Sequence, residues 1–359
     1  MTTFALQAFL AFGLTAVLLM LLRRPARAAG LVDRPCTRKR HGRTVPLIGG
    51  IGIILGFTAA ALGVDFSLRG YQALFAGMTL LLIVGVIDDL IHVDAWVKLC
   101  TQILAALFMT AWAGLQVQDL GPLLGPECAL SLGAWAMPFT LLCAVGLINA
   151  INMFDGVDGL AAGTTAIALG WLLIASAGTA APWPVLAGLL LAAVCGFSVF
   201  NLRNPWRRKA ACFLGDSGSM MLGFTLGWFA VEASAGDPAV LPPVAILWIL
   251  ALPVLDTVTL LGRRILRGEH PFKADREHLH HLFYRAGFTP AQTVFVLLLA
   301  NALLGGIGVL GTWAGLPEWL LALLFLPVAA GHALVHARAW RFARMLRRSL
   351  RATRAYWRN

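Results

Sequence analysis

The run Asn149-Ala-Ile-Asn152-Met-Phe-Asp155-Gly-Val-Asp158-Gly-Leu160 packs two amides, two carboxylates and two glycines together. Such side chains can hold a divalent cation or a polar ligand, and glycine lets backbone N–H groups come close to it. The stretches on either side are apolar and long enough to cross a bilayer. The polar groups therefore sit at or near lipid depth, where an ionisable side chain costs roughly 2.5–3.5 kcal/mol and usually faces a cavity or a partner. The competing reading, a polar turn joining two helices, has no need for four hydrogen-bonding side chains interleaved with glycine.

Other segments carry acids in similar settings. Asp88 and Asp89 are adjacent where an apolar run ends, in Gly85-Val-Ile-Asp-Asp-Leu-Ile-His92-Val-Asp94. Neighbouring carboxylates at a helix C-terminus oppose each other and the helix dipole, so they call for a cation. Asp216 lies in Phe213-Leu-Gly-Asp-Ser-Gly-Ser219 at the start of another apolar run. Asp256 lies about two turns inside a further run that ends in Arg263 and Arg264. The loop after it, His270-Pro-Phe-Lys273-Ala-Asp275-Arg276-Glu-His278-Leu-His280-His281, is rich in anion donors. Phosphate or nucleotide binding is the reading taken here, with a solvated loop and a zinc site as its alternatives. His332 and His336 are i,i+4 on the last apolar run without an acidic neighbour in sequence, and read as helix-end polarity. Carboxylates alone repel a phosphate, but Mg²⁺ bridges acid side chains and phosphate oxygens. The chemistry expected is metal-assisted phosphoryl transfer. No Gly-x-x-x-x-Gly-Lys-Ser/Thr occurs, which argues against an ATP-driven pump.

The elements that must position these residues are membrane helices. Hydrophobic residues make up 59% of the chain and charged ones 13%, with a mean hydropathy of +0.79, far outside the soluble range. Apolar runs of bilayer-crossing length fall near 4–22, 45–63, 71–87, 97–115, 134–151, 160–178, 183–200, 217–233, 243–261, 291–313 and 316–336. The fold expected is an all-α integral membrane protein of about eleven transmembrane helices. Its N-terminus is placed in the periplasm and its C-terminus in the cytoplasm. With that orientation all but Arg69 of the 28 Lys and Arg fall on the cytoplasmic side, as the positive-inside rule requires. The same topology puts the four acidic segments at cytoplasmic helix mouths. Asp65, Asp119, Glu127, Glu232, Asp237 and Glu318 go to outer loops as ordinary solvated charge.

The net charge of +11 flanks helices and suits anionic lipid better than nucleic acid. The first run is too long, and too well followed by others, for a cleaved signal peptide. The six cysteines show no C-x-x-C spacing and read as reduced packing residues. No separate soluble domain and no internal repeat is evident. Residues 1–336 form a polytopic catalytic domain. Residues 337–359 form a basic tail in which Trp340, Ala343, Leu346, Leu350 and Trp357 recur at helical spacing, as in a helix lying on the inner membrane surface.

The Asp88-Asp89 pair, Asn149-x-x-Asn152-x-x-Asp155-Gly-x-Asp158-Gly, Phe213-Leu-Gly-Asp216 and His278-Leu-His280-His281 together resemble the polyprenyl-phosphate N-acetylhexosamine-1-phosphate transferase family. They occur in the family's order, and the likeness runs from about residue 30 to residue 290. The early loop from Leu31-Val-Asp-Arg-Pro35 through Arg38-Lys-Arg-His41 to Pro46-Leu-Ile-Gly49-Gly50 also fits. The stretch from Pro271 to Phe288 is most similar to the branch that transfers GlcNAc-1-phosphate to undecaprenyl phosphate.

The resemblance implies UDP-GlcNAc as donor, undecaprenyl phosphate as acceptor and lipid-linked GlcNAc plus UMP as products, the start of a cell-surface polysaccharide such as O-antigen. It implies Mg²⁺ or Mn²⁺ as cofactor, the lipid of a bacterial inner membrane as surroundings, and leaves room for a homodimer. Asp216, with Asp89, is implied as metal ligand. Asp88 or Asp89 contacts the lipid phosphate, and Asp155 and Asp158 complete the catalytic acids. Asn149, Asn152, Asn201 and Asp256 join the substrate-binding set. Phe213 stacks on uracil, and His278, His280 and His281 with Arg263 or Arg264 bind the diphosphate or sugar. One departure is His92, where relatives often have a third acid; Asp94, two positions later, is its nearest substitute. Another donor, UDP-GalNAc or UDP-MurNAc-pentapeptide, is the alternative within the class. A secondary transporter is the rival from outside it.

Overall fold

The computed structural model describes residues 2–33, 44–203, 207, 209–237, 239–269 and 277–356. The early motif between Arg34 and Arg43, and His270, Lys273, Asp275, Arg276 and Trp357, lie outside the described residues. Nearly everything described is helical. In chain order the helices are α1 (Thr2–Ala28), α2 (Gly49–Ala61), α3 (Gln72–Ile91), α4 (Ala95–Leu107), α5 (Ala136–Phe154), α6 (Leu160–Ala175) and α7 (Trp183–Asn201). Then come α8 (Gly215–Ala235), α9 (Pro243–Ile249), α10 (Ala251–Leu266), α11 (Leu279–Ala286), α12 (Pro290–Trp313), α13 (Glu318–Ala337) and α14 (Ala339–Tyr356). One small antiparallel pair, β1 (Val32–Asp33) with β2 (Val45–Pro46), sets Val32 opposite Pro46.

Each of the eleven expected spans overlaps a helix of this set. Seven described helices are long and apolar enough to cross a membrane, or eight if α9 and α10 count as one bent span. That pair turns through 83° at Leu250. Pro253 explains the break, because it has no N–H to donate to the carbonyl of Ile249 four residues back. Two of the remaining helices, α2 and α6, are shorter, at 13 and 16 residues.

Helix α8 is the centre of the bundle. Almost all of its residues are buried, and α3, α5, α2 and α6 pack around it. A helix enclosed on all sides needs no polar face and can afford glycine and serine where neighbours press close. A Cβ on Gly50 would lie 2.5 Å from Gly218 N, and one on Gly223 would lie 2.7 Å from Ile148 Cα. The tightest approach is between α3 and α8, where a Cβ on Gly85 would overlap the backbone of Ser217. These glycines let the main chains of α2, α3 and α5 nearly touch that of α8.

Glu232, expected in a solvated outer loop, instead lies in α8. It accepts hydrogen bonds from the Tyr71 hydroxyl at 2.8 Å and Trp228 Nε1 at 2.9 Å. The basic tail does form a helix, and its Ala343 and Leu346 pack inward while Trp340 stays exposed. The Arg285 guanidinium stacks 5.4 Å above the Trp340 ring. The described cysteines are all free thiols.

Gly85→Ala should therefore push α3 from α8 and destabilise the protein by about 1–3 kcal/mol, the usual cost of overpacking. Gly146→Ala, whose Cβ would meet nothing within 4 Å, is the control and should melt like the parent. Thermal unfolding in detergent measures both, and equal melting of the two variants would contradict the close approach.

Candidate active site at the α3–α5–α8 junction

Asp89 joins α3 to the start of α8. Its Oδ1 accepts the Asp216 N–H at 3.0 Å, and its Oδ2 accepts the Ser217 hydroxyl at 3.0 Å and the Ser217 N–H at 3.4 Å. These N–H groups belong to the first turn of α8 and have no partner within the helix, so a carboxylate there satisfies both hydrogen bonding and the helix dipole. Gly215, at φ +77°, makes the turn into α8 and leaves the space that Asp89 Oδ2 fills, 2.5 Å from where a Cβ would stand.

Asp88 points to the other side. It accepts the Val93 N–H at 2.7 Å and Lys98 Nζ at 2.9 Å. The same Lys98 ammonium lies 3.3 Å from Asp216 Oδ2, so it is the cation that the aspartate pair called for. His92 ends α3 at φ +57°, a conformation uncommon outside glycine, and the reversal brings α4 and Lys98 back over the acids. Asp94 is used as the N-cap of α4, accepting the Trp96 N–H at 2.8 Å. It does not stand in for a third acid of the cluster.

Helix α5 supplies the facing wall. Asn149 and Asn152, three residues apart, share one helical face. Asn152 Nδ2 donates to Asp216 Oδ1 at 3.2 Å and to Ser219 Oγ at 2.8 Å. Asn149 Nδ2 donates to Gln102 Oε1 at 2.6 Å, which locks α5 to α4. Asp155 ends the helix. Burial pushes its carboxyl well above the usual carboxylate range, and the negative charges of Asp216, Asp89 and Asp158 add to the rise. Asp158 is held by Arg203 Nε at 2.7 Å.

Asn201 is a buried clamp. It accepts the Gly159 N–H at 2.6 Å and donates to the Cys212 carbonyl at 3.0 Å, tying the Asp155–Gly159 turn to the segment leading into α8. In that segment Phe213 donates its N–H to the Pro46 carbonyl and accepts the Gly49 N–H. The described part of the early motif thus buttresses the Asp216 motif.

The histidine motif closes one side. His280 lies against Gly156, whose Cβ would be 2.8 Å from His280 Nε2, and its ring sits 4.2 Å from that of His281. Burial, with the charges of His281 and His278, lowers the His280 imidazole to about 3, so it is neutral at physiological pH. His278 Nδ1 is 2.8 Å from Asp256 Oδ2, and the Leu279 N–H donates to Asp256 Oδ1 at 3.0 Å. Asp256 is fully buried and reaches the site only through the start of α11. Arg263 pairs with Glu277 at 2.9 Å, and Arg264 is buried in α10.

Two groups result. Asp88, Asp89, Asp155, Asp216 and Asn152 meet at one junction, and Asp158, Asn201, Phe213, His280 and His281 line the turns beside it. Asn149 stands one turn back from the junction. Asp256, His278, Arg263 and Arg264 form an adjoining cluster. Sequence reasoning missed Lys98, Gln102 and Arg203 as partners, although Lys98 stands four residues after the α4 cap and so on the same face. It also read His332 and His336 as lacking an acid; His336 Nε2 is 3.1 Å from Asp256 Oδ1. That acid comes from α10 and is invisible in the local sequence of α13.

Chemically the junction is a set of hard oxygen donors around one fixed ammonium. Such a set suits a hard divalent ion and phosphate oxygens and does not suit a soft metal. Residues 71–234 match the model of glycosyl transferase family 4. The undecaprenyl-phosphate alpha-N-acetylglucosaminyl 1-phosphate transferase of Yersinia pestis is 36% identical over 341 residues, 94% of this chain and 92% of that protein. The enzymes of the same name from Escherichia coli K12 and Pasteurella multocida are each 34% identical, over 96% and 94% of this chain and 94% and 95% of theirs.

Asn201→Ala would leave a buried N–H and a buried carbonyl unpaired, at about 1–3 kcal/mol for each unsatisfied group. The melting temperature should fall clearly while Asn201→Asp, which keeps the acceptor, falls less. An unchanged melt for Asn201→Ala would refute the clamp.

Proposed function

The chain belongs to glycosyl transferase family 4 and is a phosphoglycosyl transferase, and from that premise we propose that it moves GlcNAc-1-phosphate from UDP-GlcNAc to undecaprenyl phosphate, releasing UMP. The observation that carries this reading is the junction of Asp88, Asp155, Asp216, Asn152 and Lys98, in a chain whose likeness to such transferases covers nearly its whole length. The product starts a lipid-linked cell-surface polysaccharide. The charge asymmetry of the sequence supports eleven spans in the inner membrane, a periplasmic N-terminus and a site open to the cytoplasm.

The donor set supports Mg²⁺, or Mn²⁺ in its place, held by Asp216 and Asp155 with Asn152 beside them. When bound, the ion would neutralise the diphosphate and stabilise the leaving UMP oxygen. The chain's own residues do the rest. Asp89 fixes the first turn of α8 and so aims Asp216. Lys98 offers a permanent positive charge to phosphate oxygens next to Asp88. Arg203 holds Asp158 at the turn, and neutral His280 packs on Gly156 beside it. Phosphomonoesters have a second pKa near 6, so the lipid phosphate is largely dianionic at neutral pH and attacks the β-phosphorus with little need of a base. Positioning and charge neutralisation then carry the rate. The bent α9–α10 helix would also suit a transporter, but family membership decides for the enzyme.

Purified protein with Mg²⁺, undecaprenyl phosphate and a panel of UDP-sugars tests the reading. UMP should appear with UDP-GlcNAc and only when the lipid phosphate is present. Release with UDP-MurNAc-pentapeptide alone, or without the lipid, would overturn it. A second expectation follows from Asp155. Its carboxyl holds a proton more tightly than usual, so cation binding must displace that proton. Mg²⁺ affinity should rise as the pH rises and this carboxyl gives up its proton, and calorimetry showing flat affinity would contradict the assignment of Asp155.

A further inference from the structure

Asp256, His332 and His336 converge where α13 meets α10, and Asp256 also holds His278 of the histidine motif. His332 and His336 are four residues apart on α13 and present their rings on one face, with ring centroids 4.7 Å apart. Asp256 Oδ1 lies 3.1 Å from His336 Nε2 and 3.9 Å from His332 Nε2. One ligand atom from each residue lies within 4.8 Å of those of the other two. In a tetrahedral site with bonds of about 2.0–2.1 Å, neighbouring ligand atoms stand about 3.3 Å apart, so the Asp256–His336 pair already has that spacing and His332 would move inward on binding an ion.

The hydrogen bonding points the same way. His336 is fully buried, yet among the described residues neither of its ring nitrogens has a hydrogen-bond partner, and the same holds for His332 Nε2. His336 Nε2 faces the Asp256 oxygen at contact distance without the alignment of a hydrogen bond. A buried imidazole left so is costly, unless its nitrogen has another partner. His332 Nδ1, by contrast, is bonded to Thr259 Oγ1 at 3.1 Å. That outer bond fixes the ring with Nε2 turned inward, the arrangement that metal-bound histidines regularly show. The nearby Arg263 guanidinium is balanced by Glu277 and donates to the His336 carbonyl at 3.2 Å.

We infer that Asp256 Oδ1, His332 Nε2 and His336 Nε2 form a second metal site, which takes a divalent transition ion of the zinc class. Two imidazoles and one carboxylate are borderline donors that select such an ion over Mg²⁺, unlike the all-oxygen junction above. The ion would staple α13 to α10. Because Asp256 also holds His278 Nδ1 and the Leu279 N–H, the staple would set the histidine motif against the Asp155–Gly159 turn. The site stands on its own geometry and does not depend on which sugar is transferred.

The test uses full-length protein in detergent, stripped with a chelator and then given Zn²⁺ alone. The parent should bind one Zn²⁺ per chain and gain melting temperature, whereas Mg²⁺ at the same concentration should give no such gain. His336→Gln and His332→Gln should each weaken Zn²⁺ binding by at least 100-fold, and Thr259→Val by about 10–100-fold. Should His336→Gln fail to fold, His332→Gln and Thr259→Val still decide, and Co²⁺ loaded into the parent should show the visible bands of a four-coordinate nitrogen and oxygen site. No Zn²⁺ binding by the stripped parent would overturn the site. So would binding that survives His332→Gln but is lost in His281→Ala, which would assign the ion to the loop.

Discussion

The carboxylate of Asp89, seated on the first turn of α8, is the contact on which the rest of the site depends. It works because Gly85, one turn earlier on α3, lets the Ser217 backbone come against the helix. At that range a carboxylate meets two helix N–H groups and a hydroxyl at once. The result aims Asp216 across to Lys98 on one side and Asn152 on the other. Asp89 registers α3 against α8, and Asp216 carries that register on to α4 and α5, in a bundle where apolar contacts alone would let the helices slide.

Depth explains why the network is so fully paired. Each polar group near lipid must find a partner inside the protein. Asp88 takes Lys98 and the Val93 N–H, Asp158 takes Arg203, Asn149 takes Gln102, and Asn201 closes the turn at Gly159. Asp155 differs: burial, with the charges of Asp216, Asp89 and Asp158, pushes its carboxyl well above the usual carboxylate range, although the Gly215 backbone donates a hydrogen bond to it. Acids crowded in this way suit the divalent ion proposed above.

Much of this was legible in the sequence because membrane chemistry makes polar residues conspicuous. Asp88, Asp89, Asn152, Asp155 and Asp216 stood out against apolar surroundings, and the helices fell where the apolar runs lay. What sequence could not reveal were partners brought in from distant segments. Lys98 looked like one more cytoplasmic charge, and Glu232 like a loop residue, until α4 and Tyr71 met them. His332 and His336 seemed isolated because their acid, Asp256, lies on another helix. Asp256 itself was read as touching substrate, whereas its burial makes it a support for His278. The break at Leu250 was also hidden, since Pro253 sits inside an unbroken apolar run.

Asp216, aimed by the α3–α8 contact, would hold the ion proposed to carry the nucleotide sugar. Electron paramagnetic resonance of Mn²⁺ bound to purified protein in the presence of UDP-GlcNAc tests it most directly. Asp216→Asn leaves the backbone contacts of Asp89 and the packing of Gly85 in place, so the helix junction should survive. The account predicts one bound Mn²⁺ in the parent and none in Asp216→Asn at the same concentrations. Mn²⁺ bound as tightly by Asp216→Asn as by the parent would contradict it.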